Sequence, residues 1–379
     1  MSKLKQRFSE HLFNIPGWRT KRRIVVFESD DWGSIRMPSR DVYETCLKQG
    51  YRVDHNLFSR YDSLASEEDL TYLFDLLVSF KDRKGNHPVI TANCLVANPD
   101  FEKIQESGFD QYYYESITET FTKYPKHHKC FNLWQEGLRL NIFKPQSHGR
   151  EHLNVSRFMH DLKIGDDDVM FAFTHKMPGI FKKNEVELGN QYIFSLDHAD
   201  NNDLSEKVRI VKEGLLLFRE LFNYSSKSFI ATNYTWDPSM EIVLSEMGVQ
   251  FIQGSKFQNI PKGGHNGFKP KYHFLGERNA FRQLYLTRNV YFEPTLSISN
   301  DCLSSALRQI ETAFRWHKPA IISIHRINFV GYIDQQNRDH TLSLFNNLLR
   351  RILWLWPDVE FFSTVDLGDL IVQQKDSGM

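Results

Sequence analysis

Two adjacent carboxylates, Asp30 and Asp31, follow the apolar run Ile24-Val25-Val26-Phe27-Glu28-Ser29, and a His-Gly-Arg-Glu-His stretch, His148 to His152, lies farther along the chain. Carboxylates at the end of a predicted buried strand are costly to bury without compensation, and a divalent cation is the commonest compensation. One Asp can bind such an ion while its neighbour serves as a base. Zinc accepts mixed nitrogen and oxygen ligands, and its catalytic sites keep three protein ligands and one open position; Asp31, His148 and His152 supply that set. The predicted chemistry is hydrolysis. With 15 histidines in 379 residues, chance alone supplies ~0.6 His-x-x-x-His pairs. The spacing therefore argues only in context. Ser147 can cap a helical turn on which His148 and His152 share a face.

These groups need strands to position them. Short β-branched or aromatic runs at 23–28, 89–95, 143–146, 169–173, 228–232, 250–253, 320–324 and 359–362 alternate with helix-like stretches. Ser66-Glu67-Glu68-Asp69 reads as the start of a helix running to Phe80, and Asp203-Leu204-Ser205-Glu206 as the start of one running to Phe222. Alternation implies parallel strands, and roughly seven or eight such units close into a barrel, with function at the strand C-termini. Asp30-Asp31, the histidine pair, Asn233-Tyr234 and His325 all fall at such ends. The expected fold is α/β, a distorted (β/α)7-8 barrel, with the long connections 32–88, 98–141 and 254–300 decorating the catalytic face. Nothing divides the chain, so one catalytic domain is expected over 1–379, with 1–20 as an N-terminal arm and 254–300 as an insertion.

Composition excludes several classes. A hydrophobic share of 41% and an aromatic share of 14% are ample for a large core. The 47 basic and 47 acidic residues cancel, so no global field favours nucleic acid or an anionic membrane. Cys46, Cys94, Cys130 and Cys302 are far apart and form neither a zinc knuckle nor a disulfide framework, which fits a reducing compartment. The basic N-terminus lacks the apolar stretch of a secretory signal, and no run reaches the roughly 20 residues that cross a bilayer. A cytoplasmic location without membrane insertion is expected.

Strand-Ser29-Asp30-Asp31-Trp32-Gly33, then His148-x-x-x-His152, then a strand-end aromatic segment, then Ile322-Ser323-Ile324-His325 resembles, in order and flanking strands, the polysaccharide deacetylase family (carbohydrate esterase family four). The resemblance implies a distorted (β/α) barrel with Asp30 as base, Asp31, His148 and His152 as metal ligands and His325 as acid. Water activated by a divalent metal, Zn2+ by preference, then attacks the acyl carbon, and His325 protonates the departing amine. The substrate implied is an acylated sugar or polysaccharide precursor. Departures are specific. Gly149 and Leu153 stand where the family has Ser or Thr and Pro. The Arg that steadies the base is absent from the segment Phe229 to Trp236, leaving Arg150, Arg326 and Arg36 as candidates from elsewhere, and the fourth, Asp-Trp type motif has no counterpart.

Trp32, Tyr234 and Trp236 are candidates to stack on a sugar ring, with core packing as the alternative for each. The backbone N–H of Tyr234 is a candidate donor to the oxyanion. His198, in Leu196-Asp197-His198-Ala199-Asp200, is a candidate substrate contact within what otherwise reads as a capping segment. Lys269, Lys271, Arg278 and Arg282 are candidates to meet an anionic sugar, or are simply solvated. Two other functions stay open. One is a metal-independent glycoside hydrolase pairing Asp30 with Asp197 or Glu151; the other is an inactive homologue that binds carbohydrate.

Overall fold

The computed structural model describes residues 3–180, 183, 191–297 and 301–377. Residues 1 and 2 of the expected arm and 298–300 of the expected insertion lie outside them. Nine strands form one sheet: β1 (Ile24–Trp32), β2 (Ile90–Cys94), β3 (Phe143–Ser147), β4 (Ser228–Ile230), β5 (Phe251–Gly254), β6 (Leu284–Thr287), β7 (Val290–Tyr291), β8 (Ala320–His325) and β9 (Glu360–Phe362). Their order is β6-β5-β4-β3-β2-β1-β8-β7, with β9 also pairing β1, and every pairing is parallel. The two ends of that order are consecutive in the chain. β6 and β7 are separated by Arg288 and Asn289 alone, whose backbone N–H groups donate to Gly254 on β5 and Ile321 on β8, at 2.9 and 3.1 Å. One kinked segment, 284–291, therefore bridges both edges and closes the sheet into a distorted barrel.

Strand periodicity sorts side chains into tiers. On β1, Val25 and Phe27 join the large core under the surrounding helices, whereas Ile24 and Val26 face Phe251, Leu284, Leu286 and Ile321. Leu367 and Ile371, from the C-terminal helix Thr364–Asp376, complete that apolar floor. Above it lies a buried polar tier of Glu28, Asn93, Gln253, Arg288 and Ser323, each 1% exposed or less. The next inward positions, at the strand C-termini, are Asp30 and His325. The barrel thus changes from oil to charge over two residue pairs of each strand, which is where parallel barrels place chemistry.

Two expected helices are present. Ser66 caps Glu67–Val78 in a reciprocal capping box with Asp69, and Asp200 caps the 22-residue helix Asn201–Phe222. The run 169–173, expected as a strand, is instead helix, Asp167–Thr174, because Asp166 caps it and Asp167 and Asp168 suit its positive end. Within 254–300, the antiparallel hairpin Phe257–Pro261/Phe268–Tyr272 stands outside the barrel, while 284–291 belongs to its wall. The helix Lys3–Phe13 opens the arm, which is tied down by a Glu10–Arg308 ion pair and by Lys318 Nζ donating to the carbonyls of Pro16 and Trp18. Among the described residues, no helix is long and apolar enough to cross a membrane.

Candidate metal centre and active site

Neighbouring residues of a regular strand point to opposite faces, yet Asp30 and Asp31 face one cavity. A register shift against β2 between Ser29 and Trp32, together with a left-handed backbone at Asp31 (φ 74°), turns both carboxylates the same way. Asp31 Oδ1 lies 3.5 Å from His148 Nε2 and 3.5 Å from His152 Nε2. That separation is long for a hydrogen bond but close to the ~3.4 Å expected between two ligands about 2.1 Å from one tetrahedral ion.

The donor chemistry fits as well. His148 Nδ1 donates to the Ile230 carbonyl at 2.9 Å, leaving Nε2 with its lone pair toward Asp31. Burial and the nearby Arg36 charge push the His152 imidazole down to about 3, so it is neutral, as a ligand must be. Burial alone would raise Asp31, but the charges of Arg36 and His325 hold it well below its ordinary range. Among the described residues, these three form the group of His, Cys and acidic side chains gathered closely enough to hold an ion. The expected helical turn is absent. Ser147 ends β3, and His148 to His152 form an irregular loop in which Gly149 takes φ 113°, a conformation costly to other residues.

Asp30 has a different environment. Arg288 reaches it bidentately, Nη1 to Oδ2 and Nη2 to Oδ1, both at 2.6 Å, while Asn93 Nδ2 donates to Oδ1 at 2.7 Å. Burial alone would raise the carboxyl, but Arg288 brings it down to about 2. The same guanidinium donates Nε to Glu28 at 2.7 Å and Nη1 to Ser323 at 3.1 Å. Thr364 also donates to Glu28, whose carboxyl nonetheless stays above its ordinary value through burial. Arg288 is thus the cation paired with Asp30. The candidates named from sequence lie elsewhere: Arg150 pairs with Glu151 and Glu213, Arg326 with Asp62, and Arg36 lies beside Asp31 and Asp62.

His325 stands across from Asp30, with Nε2 3.8 Å from Oδ2. Its Nδ1 donates to Glu293 at 2.6 Å, and Glu293 is itself held by the His325 backbone N–H and by Asn328. Burial would lower the imidazole, but Glu293, Asp30 and Asp31 raise it to about 10. The site therefore opposes an ionised carboxylate to a protonated imidazole, the pairing that acid–base hydrolysis needs.

A cavity of about 300 Å3 opens onto this centre. Asp30, Asp31, His148, His152, Tyr234 and His325 line it, with Arg36, Asn233 and apolar walls that include Phe58, Met177, Ile193 and Leu296. The other candidates lie elsewhere. Trp32 is core, packed on Trp134, Phe143 and Phe329, with its indole donating to Ser29. Trp236 is buried, donates to Glu241 and stacks on His273. His198 lies outside the cavity lining, near Asp237 and Gly263. The Tyr234 N–H donates to Ala231, so it is not free for an oxyanion. Lys269 and Lys271 are exposed on the hairpin, and Arg278 pairs with Asp376.

Sequence reasoning missed Arg288, Glu293, Asn93 and Gln253. Leu284-x-Leu286-x-Arg288 has strand alternation that places Arg288 inward, and Glu28 inside an apolar strand demanded a buried cation, so a signal for the first existed. Gln253 and Asn93 exchange hydrogen bonds at 2.9 Å in both directions, a pairing between separate strands that no local pattern announces.

No family model matches the sequence, and no curated protein matches it. Among solved structures the chain is similar to the Puue allantoinase, with 11% identity, a TM-score of 0.48 and 93% of each chain covered. It is also similar to two proteins assigned to the polysaccharide deacetylases. One, from Pseudomonas aeruginosa PAO1, shows 11% identity and a TM-score of 0.46, covering 92% of this chain and 91% of that one. The other, from Mycobacterium smegmatis, shows 8% identity and a TM-score of 0.44, covering 95% and 94%. Likeness of this degree assigns no activity.

Proposed function

We propose that the protein is a metal-dependent hydrolase that removes an acyl group, N-acetyl in the simplest case, from a carbohydrate. The observation that carries this reading is the convergence of Asp31, His148 and His152 at 3.5 Å beside a separately held Asp30 and His325. A divalent ion held by those three side chains would supply Lewis acidity, lowering the pKa of water and polarising the acyl carbonyl. Zn2+ suits the Asp/His/His set.

The chain's own groups divide the remaining work. Asp30 Oδ2 receives the proton of the attacking water. Its low pKa makes it a weak base, so Arg288 trades basicity for a carboxylate that is always ionised and fixed in place. His325 delivers a proton from Nε2 to the departing nitrogen, while Glu293 accepts a hydrogen bond from Nδ1–H and so holds the imidazolium in place and charged. Tyr234 walls the cavity beside Arg288, its hydroxyl kept protonated by burial.

The glycosidase alternative pairs Asp30 with Asp197 or Glu151, and this cavity holds neither. Among the described residues, Asp197 is bound by His265 and Glu151 by Arg150, and neither lines it. The test is acetate release from N-acetylated oligosaccharides before and after chelation and zinc reloading. Release that chelation abolishes and zinc restores is expected. Glycosidic cleavage that survives chelation would replace this reading with the glycosidase, and sugar binding without any release would replace it with the inactive homologue.

A further inference from the structure

The guanidinium groups at the top of the barrel are not alike. Arg288 spends its donors on Asp30, Glu28 and Ser323. Arg326 spends its own on Asp62, at 3.1 and 2.9 Å, and on the Ser34 carbonyl at 2.7 Å. Arg36 is different. It lines the cavity, and its Nε is buried without a hydrogen-bond partner. Its two carboxylate contacts, Nη2 to Asp31 at 3.6 Å and Nε to Asp62 at 3.7 Å, exceed hydrogen-bond length. Phe58 holds the group in place, its ring centroid 5.5 Å from the guanidinium carbon and 5.6 Å from the His325 ring.

Neither neighbouring carboxylate hydrogen-bonds this group. Asp62 is already matched by Arg326 in a bidentate pair. Asp31, as a ligand, would face a dication, beside which a further cation is repelled unless an anion joins them. A guanidinium only 18% exposed, with donors that no hydrogen bond uses, beside the proposed reacting centre and over an aromatic ring, is an arrangement that grips a planar or tetrahedral oxyanion.

We infer that Arg36 is the binding site for an anionic substituent of the substrate, a carboxylate or a phosphate ester close to the scissile acyl group. The substrate class is then an acylated acidic sugar rather than a neutral one. This rests on the proposed hydrolase reading and adds its selectivity. The exposed Lys269 and Lys271, which the sequence offered for such a sugar, lie on the hairpin away from the cavity.

The test separates binding from turnover. Zinc-loaded full-length protein is titrated by calorimetry with a hexuronate, a hexose 6-phosphate and the neutral hexose, none of which carries an amide to be hydrolysed. One or two charge-assisted hydrogen bonds correspond to about tenfold to a hundredfold tighter binding of an anionic probe over the neutral one. Arg36→Gln should abolish that ratio and Arg36→Lys should restore part of it, with zinc content equal to wild type in both. Tighter binding of the uronate identifies a carboxylate, and tighter binding of the phosphate a phosphate ester. Equal binding of all three probes by the wild type, or a preference that survives Arg36→Gln, overturns the inference. Arg36-dependent anion binding without acetate release from any acetylated sugar would sink the hydrolase reading and keep the anion site. Acetate release with no anion preference would do the reverse.

Discussion

Replacing Arg288 with Met removes one guanidinium from three buried groups, and the consequences can be worked from the structure. Asp30 and Glu28 lose their cation while buried, and Ser323 loses a donor. Breaking a buried pair from one side costs about 3–5 kcal/mol, a large share of the 5–15 kcal/mol that holds a typical domain together. The pH dependence is more diagnostic than the size. In the wild type, Asp30 sits at about 2, below its ordinary 3.8, so its contribution is present above about pH 4 and is lost as pH falls toward 2. That difference is worth about 2–3 kcal/mol. Without Arg288, burial would hold both carboxyls above their ordinary values. Stability would then be lost as pH rises, by at most about 1.4 kcal/mol per pH unit for each carboxyl. Urea unfolding of both proteins in one metal state, at pH 7 and pH 5, reads this directly. The variant should unfold at lower urea at pH 7 and recover part of the deficit at pH 5. Equal midpoints at pH 7, or a deficit that does not shrink on acidification, would refute the reasoning.

Glu293→Gln removes the main charge that raises His325, so the imidazole should titrate below its present value of about 10 and the alkaline limb of the activity profile should move to lower pH; an unmoved limb in kcat/KM against pH would exclude this role. Because protonated His325 is the stabilised form, its contribution to folding holds below about pH 6.5 and fades as pH rises through about 10, and the variant should lack that fading. Gly149→Ala has room for its methyl group, the nearest atom being Leu95 Cδ2 at 3.9 Å, so its cost of about 1–3 kcal/mol is backbone strain alone. It should weaken zinc binding measured by competition with a chelator. Gly368→Ala is the control, since its Cβ would meet the Phe251 ring at 2.6 Å in the barrel floor; thermal unfolding should fall by about 1–3 kcal/mol with zinc content unchanged.

Chain order and strand ends were legible because buried parallel strands write themselves as apolar runs and chemistry follows them. Asp30, Asp31, His148, His152 and His325 meet in one cavity as the alternation implied. What was not legible is instructive. Val169 to Phe173 has the composition of a buried strand, and only Asp166 as a cap separates the two readings. The segment 284–291 read as an insertion because Arg288 and Asn289 interrupt its apolar run, although those two residues let it change partners and close the barrel. Arg288 and Glu293 reach Asp30 and His325 through space across 258 and 32 residues of chain, distances over which spacing carries no information. Trp32 and Trp236 sat beside the proposed chemistry in sequence, yet the pleat turns Trp32 into the helix-facing core, and the fold past Tyr234 buries Trp236 against Met240 and Leu244.

The proposed chemistry depends on a divalent ion held by Asp31, His148 and His152. Its most direct test is metal content per chain, measured by elemental analysis after exhaustive dialysis, for the wild type and for Asp31→Asn and His148→Ala shown to be folded. One ion per wild-type chain, lost from both variants, is the predicted result. A wild type that retains none after zinc loading, or variants that retain as much as the wild type, would contradict it.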